Sequence, residues 1–275
     1  MTRDGVLVAR HDLHLEATTD AAEVFPDRAR ADGRWYAADF DLAELRRLRA
    51  REPGSSRFRA AGGGFPVPSF EEVLELLAEL NRRTGCRVGV YPELKEPAFH
   101  ARAGLALEEA LLASLERFGY RGRDARVRIQ SFDPATLRRL RFELGSRLPL
   151  VQLVGAGAGQ DALVSAAGLD EIARYAEGIG IDKRRLEAPG GAGRELVGAA
   201  HARGLFVDAW TFRRDAVGPA HASFAAELAA FAFDLGVDGV FADHPDAARD
   251  ALFRPRFWQR WLGGPARRPA GCAEG

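Results

Sequence analysis

The stretch of sequence that decides the fold is Arg87-Val88-Gly89-Val90-Tyr91-Pro92-Glu93-Leu94-Lys95. Its short apolar run predicts a β-strand that ends at Glu93. Because side chains alternate along a strand, Glu93 and Lys95 should point to the same side, just past its carboxyl end. In barrels of parallel strands, catalytic and ligand-binding groups collect at that end. Glu93 could therefore ligate a divalent cation and Lys95 an anionic oxygen, although an exposed Glu–Lys pair without a function has the same pattern.

Outward from this stretch, strands and helices alternate along the chain. Six strands are predicted, namely the one that ends at Glu93 and those over residues 127–131, 148–154, 178–181, 205–210 and 237–241. This alternation is typical of a parallel sheet with helical crossovers. A (β/α)8 barrel needs eight strands. We therefore predict an α/β fold of the (β/α)8 TIM-barrel type that is incomplete at its amino terminus, lacking about one to two βα units.

One helix is marked by signals at both of its ends. Ser69 followed three residues later by Glu72 has the pattern of a capping box, in which each residue bonds the backbone of the other. Gly85 is the residue type that most easily adopts the left-handed conformation that ends helices. We predict a helix over residues 70–84.

Other segments have less regular patterns. Residues 21–38 and 52–68 are read as long loops, the first of them functional. An apolar run over residues 6–9, preceded by a turn signal, predicts one more strand. We assign residues 1–262 to one domain and expect the Pro-, Gly- and Ala-rich residues 263–275 to be a disordered tail.

The composition limits the functions that the chain can have. Hydrophobic residues make up 47% of its 275 residues, which is enough for one large core. Acidic and basic residues balance to a formal net charge of zero, which argues against nucleic acid as a partner. We find no transmembrane segment and no signal peptide. As written the chain is expected to be cytoplasmic, and periplasmic or secreted if the natural start lies upstream.

Three further side chains are candidates for the site because they follow predicted strands. His11, next to Asp12, could act as a general acid or base, because an imidazole group can take up and release a proton near neutral pH. A surface histidine in a turn is the alternative. Phe132 and Trp210 could form an aromatic surface for a ligand, with core packing as the alternative for Trp210. Asp133, directly before a proline, is better explained as a helix cap.

These pieces occur together in a recognisable order. They are Thr2-Arg3-Asp4-Gly5, His11-Asp12, Thr18-Thr19-Asp20, Phe25-Pro26-Asp27-Arg28-Ala29-Arg30, Gly33-Arg34-Trp35-Tyr36, Tyr91-Pro92-Glu93-Leu94-Lys95, Gln130-Ser131-Phe132-Asp133, Val151-Gln152-Leu153, Trp210-Thr211 and Gly236-Val237-Asp238-Gly239. In order and spacing they resemble glycerophosphodiester phosphodiesterases of the bacterial periplasmic type. The resemblance covers nearly the whole chain.

The resemblance implies a fold, a reaction and a set of roles. The family fold is a (β/α)8 barrel that hydrolyses glycerophosphodiesters to glycerol 3-phosphate and an alcohol with a divalent cation, usually Ca²⁺ in this type, with Mg²⁺ as an alternative. By this resemblance His11 is the second of two catalytic histidines, Glu93 is a metal ligand and Lys95 neutralises phosphate charge. Phe132 and Trp210 would contact the small-molecule substrate.

The chain also departs from the family pattern. A His-Arg-Gly motif and a Glu-x-Asp pair, which supply a histidine and two metal carboxylates, would precede the position of Met1 and are not in the sequence. Our main hypothesis is therefore an enzyme whose natural chain is longer. One alternative is a truncated, inactive paralogue that acts as a binding module or is completed by a partner. Another is a different phosphate-handling barrel with the same site residues.

Overall fold

The computed structural model describes residues 1–51, 64–187 and 189–253. They form two compact units. The first consists of Met1–Val127 and Glu143–Leu148, and the described part of the second consists of Arg128–Phe142 and residues 149–253. Most of the loop predicted over residues 52–68 and the whole predicted tail, 263–275, lie outside the described residues. No helix among the described residues is long and apolar enough to cross a membrane.

The first unit begins with a small core of its own. The buried side chains of this core are Leu15, Ala21, Phe25, Ala37, Phe40, Leu45 and Leu48. The helices of the unit are α1 (Ala21–Val24), α2 (Leu42–Leu45), α3 (Phe70–Thr84), α4 (Pro97–Arg102) and α5 (Leu107–Arg117). Residues 21–38, predicted to be a loop, therefore contain the short helix α1 and contribute three members of this core.

The helix predicted over residues 70–84 is confirmed. Ser69 Oγ accepts the Glu72 amide at 3.2 Å, and the Glu72 carboxylate accepts the Ser69 amide at 2.7 Å, so the capping box is complete. Gly85 ends the helix with a φ of 68°. These contacts are local in sequence, which explains why the sequence alone predicts both ends of the helix.

For two segments, the prediction of a regular β-strand is wrong. The run over residues 6–9 makes only one isolated antiparallel bridge, Val8 with Ser69. The run that ends at Glu93 makes isolated bridges at Val90, which pairs in parallel with Val127, and at Glu93 itself. The Val6 amide donates instead to Thr2 Oγ1 at 2.8 Å. Pro92 has no amide hydrogen to donate to a ladder. Both segments are therefore extended but do not form regular strands.

The second unit contains a parallel sheet in which sequence order and spatial order are the same, β1-β2-β3-β4-β5. The strands are β1 (Ile129–Ser131), β2 (Leu150–Val154), β3 (Gly178–Asp182), β4 (Phe206–Phe212) and β5 (Gly239–Ala242). The helices are α6 (Pro134–Arg138), α7 (Asp161–Val164), α8 (Ala166–Ile172), α9 (Lys183–Leu186), α10 (Ala192–His201), α11 (Phe224–Ala229) and α12 (Pro245–Phe253). The predicted α/β class with parallel strands is confirmed.

The central strands β2 and β3 are buried along their whole length and, apart from Gln152 and Asp182, contain only apolar residues and glycine. All five residues of β2 and all five of β3 are buried, as expected for a parallel sheet with helical crossovers. Gly178 and Gly180 allow close packing at β3. A Cβ at Gly178 would lie 2.3 Å from the Phe206 ring, and one at Gly180 would lie 2.6 Å from Leu153. Side chains from the neighbouring strands thus fill the space at the two glycines.

Candidate functional site

In the first unit, four polar side chains form a continuous series of contacts. Asp12 Oδ1 lies 2.7 Å from His11 Nδ1, and His11 Nε2 lies 3.2 Å from Lys95 Nζ. Lys95 Nζ in turn lies 3.0 Å from Glu93 Oε1. Three of the residues predicted to form the site, His11, Glu93 and Lys95, are therefore brought together, although His11 and Lys95 are 84 residues apart in the sequence.

The orientation of Glu93 and Lys95 follows from their spacing. Leu94, between them, is 4% exposed and faces the core. Alternation along extended backbone then turns both neighbours to the opposite side, where their side chains form an ion pair. This agrees with the orientation predicted from the sequence, even though the segment is not a regular strand.

The turn that carries His11 is anchored by Arg10. The Arg10 guanidinium donates to the carbonyls of Asp12, at 2.8 Å, and His14, and to Thr18 Oγ1 at 3.0 Å. Burial lowers the pKa of Arg10 from its ordinary value. Two carbonyls and a hydroxyl thus satisfy a partly buried cation and fix the backbone on either side of His11.

The contacts of His11 define its most favourable tautomer. With Asp12 ionised, the 2.7 Å contact places the proton on His11 Nδ1, so that Nε2 presents a lone pair to the Lys95 ammonium. The hydrogen bond from His11 is the main reason that the pKa of Asp12 lies below its usual value. The His11 side chain is 79% exposed, so a ligand that displaces the Lys95 ammonium could reach Nε2. This arrangement suits a group that takes a proton at Nε2.

Glu93 satisfies only part of what a calcium site needs. Its Oε1 atom is buried and makes no hydrogen bond, so its ion pair with Lys95 is its principal polar contact. A carboxylate oxygen suits a metal ligand, but calcium takes six to eight oxygen atoms. Among residues 1–51, 64–187 and 189–253, no group of three or more potential ligands includes Glu93. Glu93 would therefore supply only one of the ligands that calcium needs, and we derive no step through that metal.

Phe132 and Trp210 form a pair within the second unit. Their rings meet edge to face with centroids 5.7 Å apart. The Phe132 carbonyl accepts a hydrogen bond from Gln152 at 3.1 Å, and Gln152 accepts one from the Tyr175 hydroxyl at 2.9 Å. Burial raises the pKa of Tyr175 to about 12, which keeps this hydroxyl protonated as a donor. Trp210 Nε1 is buried and has no hydrogen-bond partner among the described residues, which is uncommon for a buried indole N–H.

Asp133 has the structural role that the sequence predicted for it. Its carboxylate accepts the Ala135 amide at 3.0 Å at the start of α6, so that it caps this helix. Asp133 therefore stabilises the start of α6 rather than forming part of a binding surface.

Sequence reasoning missed one group of possible metal ligands altogether. Glu187, His221 and Glu227 each offer a ligand atom, and these atoms lie within 4.8 Å of one another. The three residues come from separate segments with no metal-binding spacing, so the sequence carried no signal that would group them. Arg10 and Gln152 were also missed, because their roles depend on contacts between distant residues.

Comparisons with known proteins agree with the resemblance in the sequence. Residues 1–247 match the glycerophosphoryl diester phosphodiesterase family. The chain is 30% identical to the glycerophosphodiester phosphodiesterase of Haemophilus influenzae, covering 92% of this chain and 79% of that protein. It is also 30% identical to the enzyme of the same name from Treponema pallidum, with coverages of 93% and 82%.

A solved structure extends this likeness to the fold. The crystal structure of a candidate glycerophosphoryl diester phosphodiesterase from Silicibacter pomeroyi aligns with a TM-score of 0.68 at 26% identity. The alignment covers 92% of this chain and 80% of that one. By the extent of the family match and by its relatives, the chain belongs to the glycerophosphoryl diester phosphodiesterase family, a family of phosphodiester hydrolases.

Proposed function

We propose that the protein hydrolyses glycerophosphodiesters to glycerol 3-phosphate and an alcohol. The observation that carries this proposal is the series Asp12–His11–Lys95–Glu93, which combines a proton-transfer group with a cation for the phosphate. The reaction needs both, because a phosphodiester must have its charge offset while one oxygen loses a proton and another gains one. The names of the relatives point to the same substrate class.

In this proposal each residue has a distinct task. His11 Nε2 takes the proton of the attacking hydroxyl or returns it to the leaving oxygen, and Asp12 orients the ring through Nδ1. Lys95 moves its ammonium group from His11 to a phosphate oxygen. Trp210 and Phe132 are proposed as substrate contacts, supported by the unpartnered indole N–H of Trp210.

The proposal also includes a divalent cation, with calcium expected from the resemblance and magnesium as the alternative. Glu93 would supply one carboxylate ligand through Oε1, which lies 3.0 Å from Lys95 Nζ in this structure. Glu93→Gln is therefore expected to weaken calcium binding, which isothermal calorimetry would measure without reference to turnover.

The wider architecture is proposed from the same relatives. We infer that the five parallel strands are part of a (β/α)8 barrel, because they follow one another in spatial order as barrel strands do. We also propose that residues 1–262 act as one functional domain, since the family match extends from residue 1 to residue 247.

The decisive experiment is release of glycerol 3-phosphate by His11→Ala. Loss of the proton-transfer group should lower kcat by about 10²- to 10⁴-fold. His14→Ala is the matched control, since this histidine packs edge to face on Tyr36 and is expected to keep most of the activity. Full activity in His11→Ala would refute the role of His11.

The same assay separates the other two functions considered. A protein that binds glycerophosphodiesters without releasing product would be the inactive paralogue. One that prefers an unrelated phosphate ester would be a different phosphate-handling enzyme.

A further inference from the structure

A second cluster of polar groups lies within the second unit, apart from the residues assigned to hydrolysis. Glu187 directly follows α9, His221 lies in the segment between β4 and α11, and Glu227 is on α11. One ligand atom of each lies within 4.8 Å of the others. His221 Nε2 is already 3.0 Å from Glu187 Oε1. Three segments of the chain thus converge on one small volume.

Glu227 shows that this convergence is more than a surface cluster. The residue is fully buried, with an exposed fraction of 0%. Its Oε1 atom accepts from Lys183 Nζ at 2.6 Å and from the Gly218 amide at 3.1 Å. Its Oε2 atom is buried and has no hydrogen-bond partner within residues 1–51, 64–187 and 189–253. An unsatisfied buried carboxylate oxygen is costly, so a missing partner is the simplest explanation for it.

The charges of the cluster are also compatible with a bound cation. Glu187 and Glu227 carry two negative charges, and Lys183 supplies one positive charge, at Glu227 Oε1. Lys183 leaves Oε2 free, so the lysine and a metal ion could share the same carboxylate.

We propose that Glu187, His221 and Glu227 bind a divalent transition metal of the zinc class, in a site separate from Glu93. An imidazole nitrogen with two carboxylate oxygens suits zinc, whereas calcium and magnesium prefer oxygen ligands alone. Zinc would replace the contact between His221 and Glu187 and join the end of α9, the segment around His221 and α11. The site is structural, because it links three segments and includes none of the residues assigned to hydrolysis.

Zinc titration of the untagged, chelator-treated full chain tests this inference, with calorimetry for binding and thermal unfolding for stability. One zinc ion should bind and raise Tm. His221→Ala and Glu187→Gln should each weaken zinc binding by about tenfold or more and abolish the rise in Tm. Both replaced side chains are partly exposed, so these variants are better suited to the test than changes at the buried Glu227.

Two controls make the result specific. His201→Ala removes another histidine of the second unit that is paired with a carboxylate, Asp238 at 2.8 Å. This variant should bind zinc like the unmodified chain. Equal zinc binding by His221→Ala, or no zinc binding by the unmodified chain, would overturn the proposal. Equal stabilisation by calcium would overturn the assignment to the zinc class.

Discussion

Lys95 contacts both the proposed proton-transfer residue, His11, and the proposed metal ligand, Glu93. Its ammonium lies 3.0 Å from Glu93 Oε1 and 3.2 Å from His11 Nε2. In this state it blocks the histidine nitrogen that would take a proton. A phosphate oxygen competes for the same ammonium, because a charged acceptor binds it more strongly than a neutral imidazole does. Substrate binding would therefore free His11 as it neutralises the phosphate.

Replacing Lys95 tests this exchange. Lys95→Gln should lower kcat/KM for a glycerophosphodiester by about 10²- to 10³-fold, because it removes the charge that faces the phosphate. Lys95→Arg, which keeps the charge but changes its geometry, should recover part of this loss. Steady-state kinetics of both variants, with Tm as a check on folding, measures the effect. A Gln variant as active as the unmodified chain would rule out a role for this ammonium.

At the scale of an element, α9 depends on the residue that ends β3. Asp182 is 3% exposed and accepts hydrogen bonds from the Arg184 amide at 3.0 Å and from its guanidinium at 2.6 and 3.0 Å. Burial by itself would raise the pKa of Asp182. The bonds from Arg184 outweigh this effect, and the pKa lies below its usual value. The ionised form is therefore favoured by folding.

Asp182→Asn should lower stability in a pH-dependent way. A carboxyl whose pKa is depressed by folding contributes stability above its unfolded pKa, near 3.8, and loses it as the pH falls through the folded value. At pH 7 the variant should have a lower Tm. Its free energy of unfolding should fall by an amount typical of a weakened helix cap, about 1 kcal/mol. The difference should shrink below about pH 4. A Tm difference that is constant from neutral to acidic pH would contradict this account.

At the scale of the whole molecule, the balance of charge is the main electrostatic feature. The 39 basic and 39 acidic residues give a formal net charge of zero. Many of the arginines are paired, for example Arg141 with Glu177 at 2.7 Å and Arg185 with Asp161 at 2.6 Å. A molecule of this kind has little long-range field with which to attract an anionic substrate.

The rate of substrate capture should therefore depend weakly on salt. We expect kcat/KM for a glycerophosphodiester to change by less than about threefold between roughly 50 and 300 mM monovalent salt. The measurement needs a salt that does not compete for the proposed metal sites, such as potassium chloride. A steep fall with ionic strength would instead indicate steering by a concentrated local charge.

The sequence by itself determined features that rest on local contacts or on long apolar runs. The capping box of Ser69 and Glu72 and the terminal Gly85 marked α3, because each cap bonds to residues a few positions away. The buried strands β2 and β3 are largely apolar segments of strand length, as expected for a parallel sheet that is covered on both faces. The shared orientation of Glu93 and Lys95 followed from the alternation of side chains alone.

Only the tertiary structure decided which distant residues meet. His11 reaches Lys95 across 84 positions, and Glu187, His221 and Glu227 converge from three segments. It also decided that the extended runs around Val8 and Val90 make isolated bridges and not regular strands. Strand pairing and side-chain clusters depend on which distant segments lie next to each other after the chain has packed. A local sequence pattern carries no information on which segment will be the neighbour.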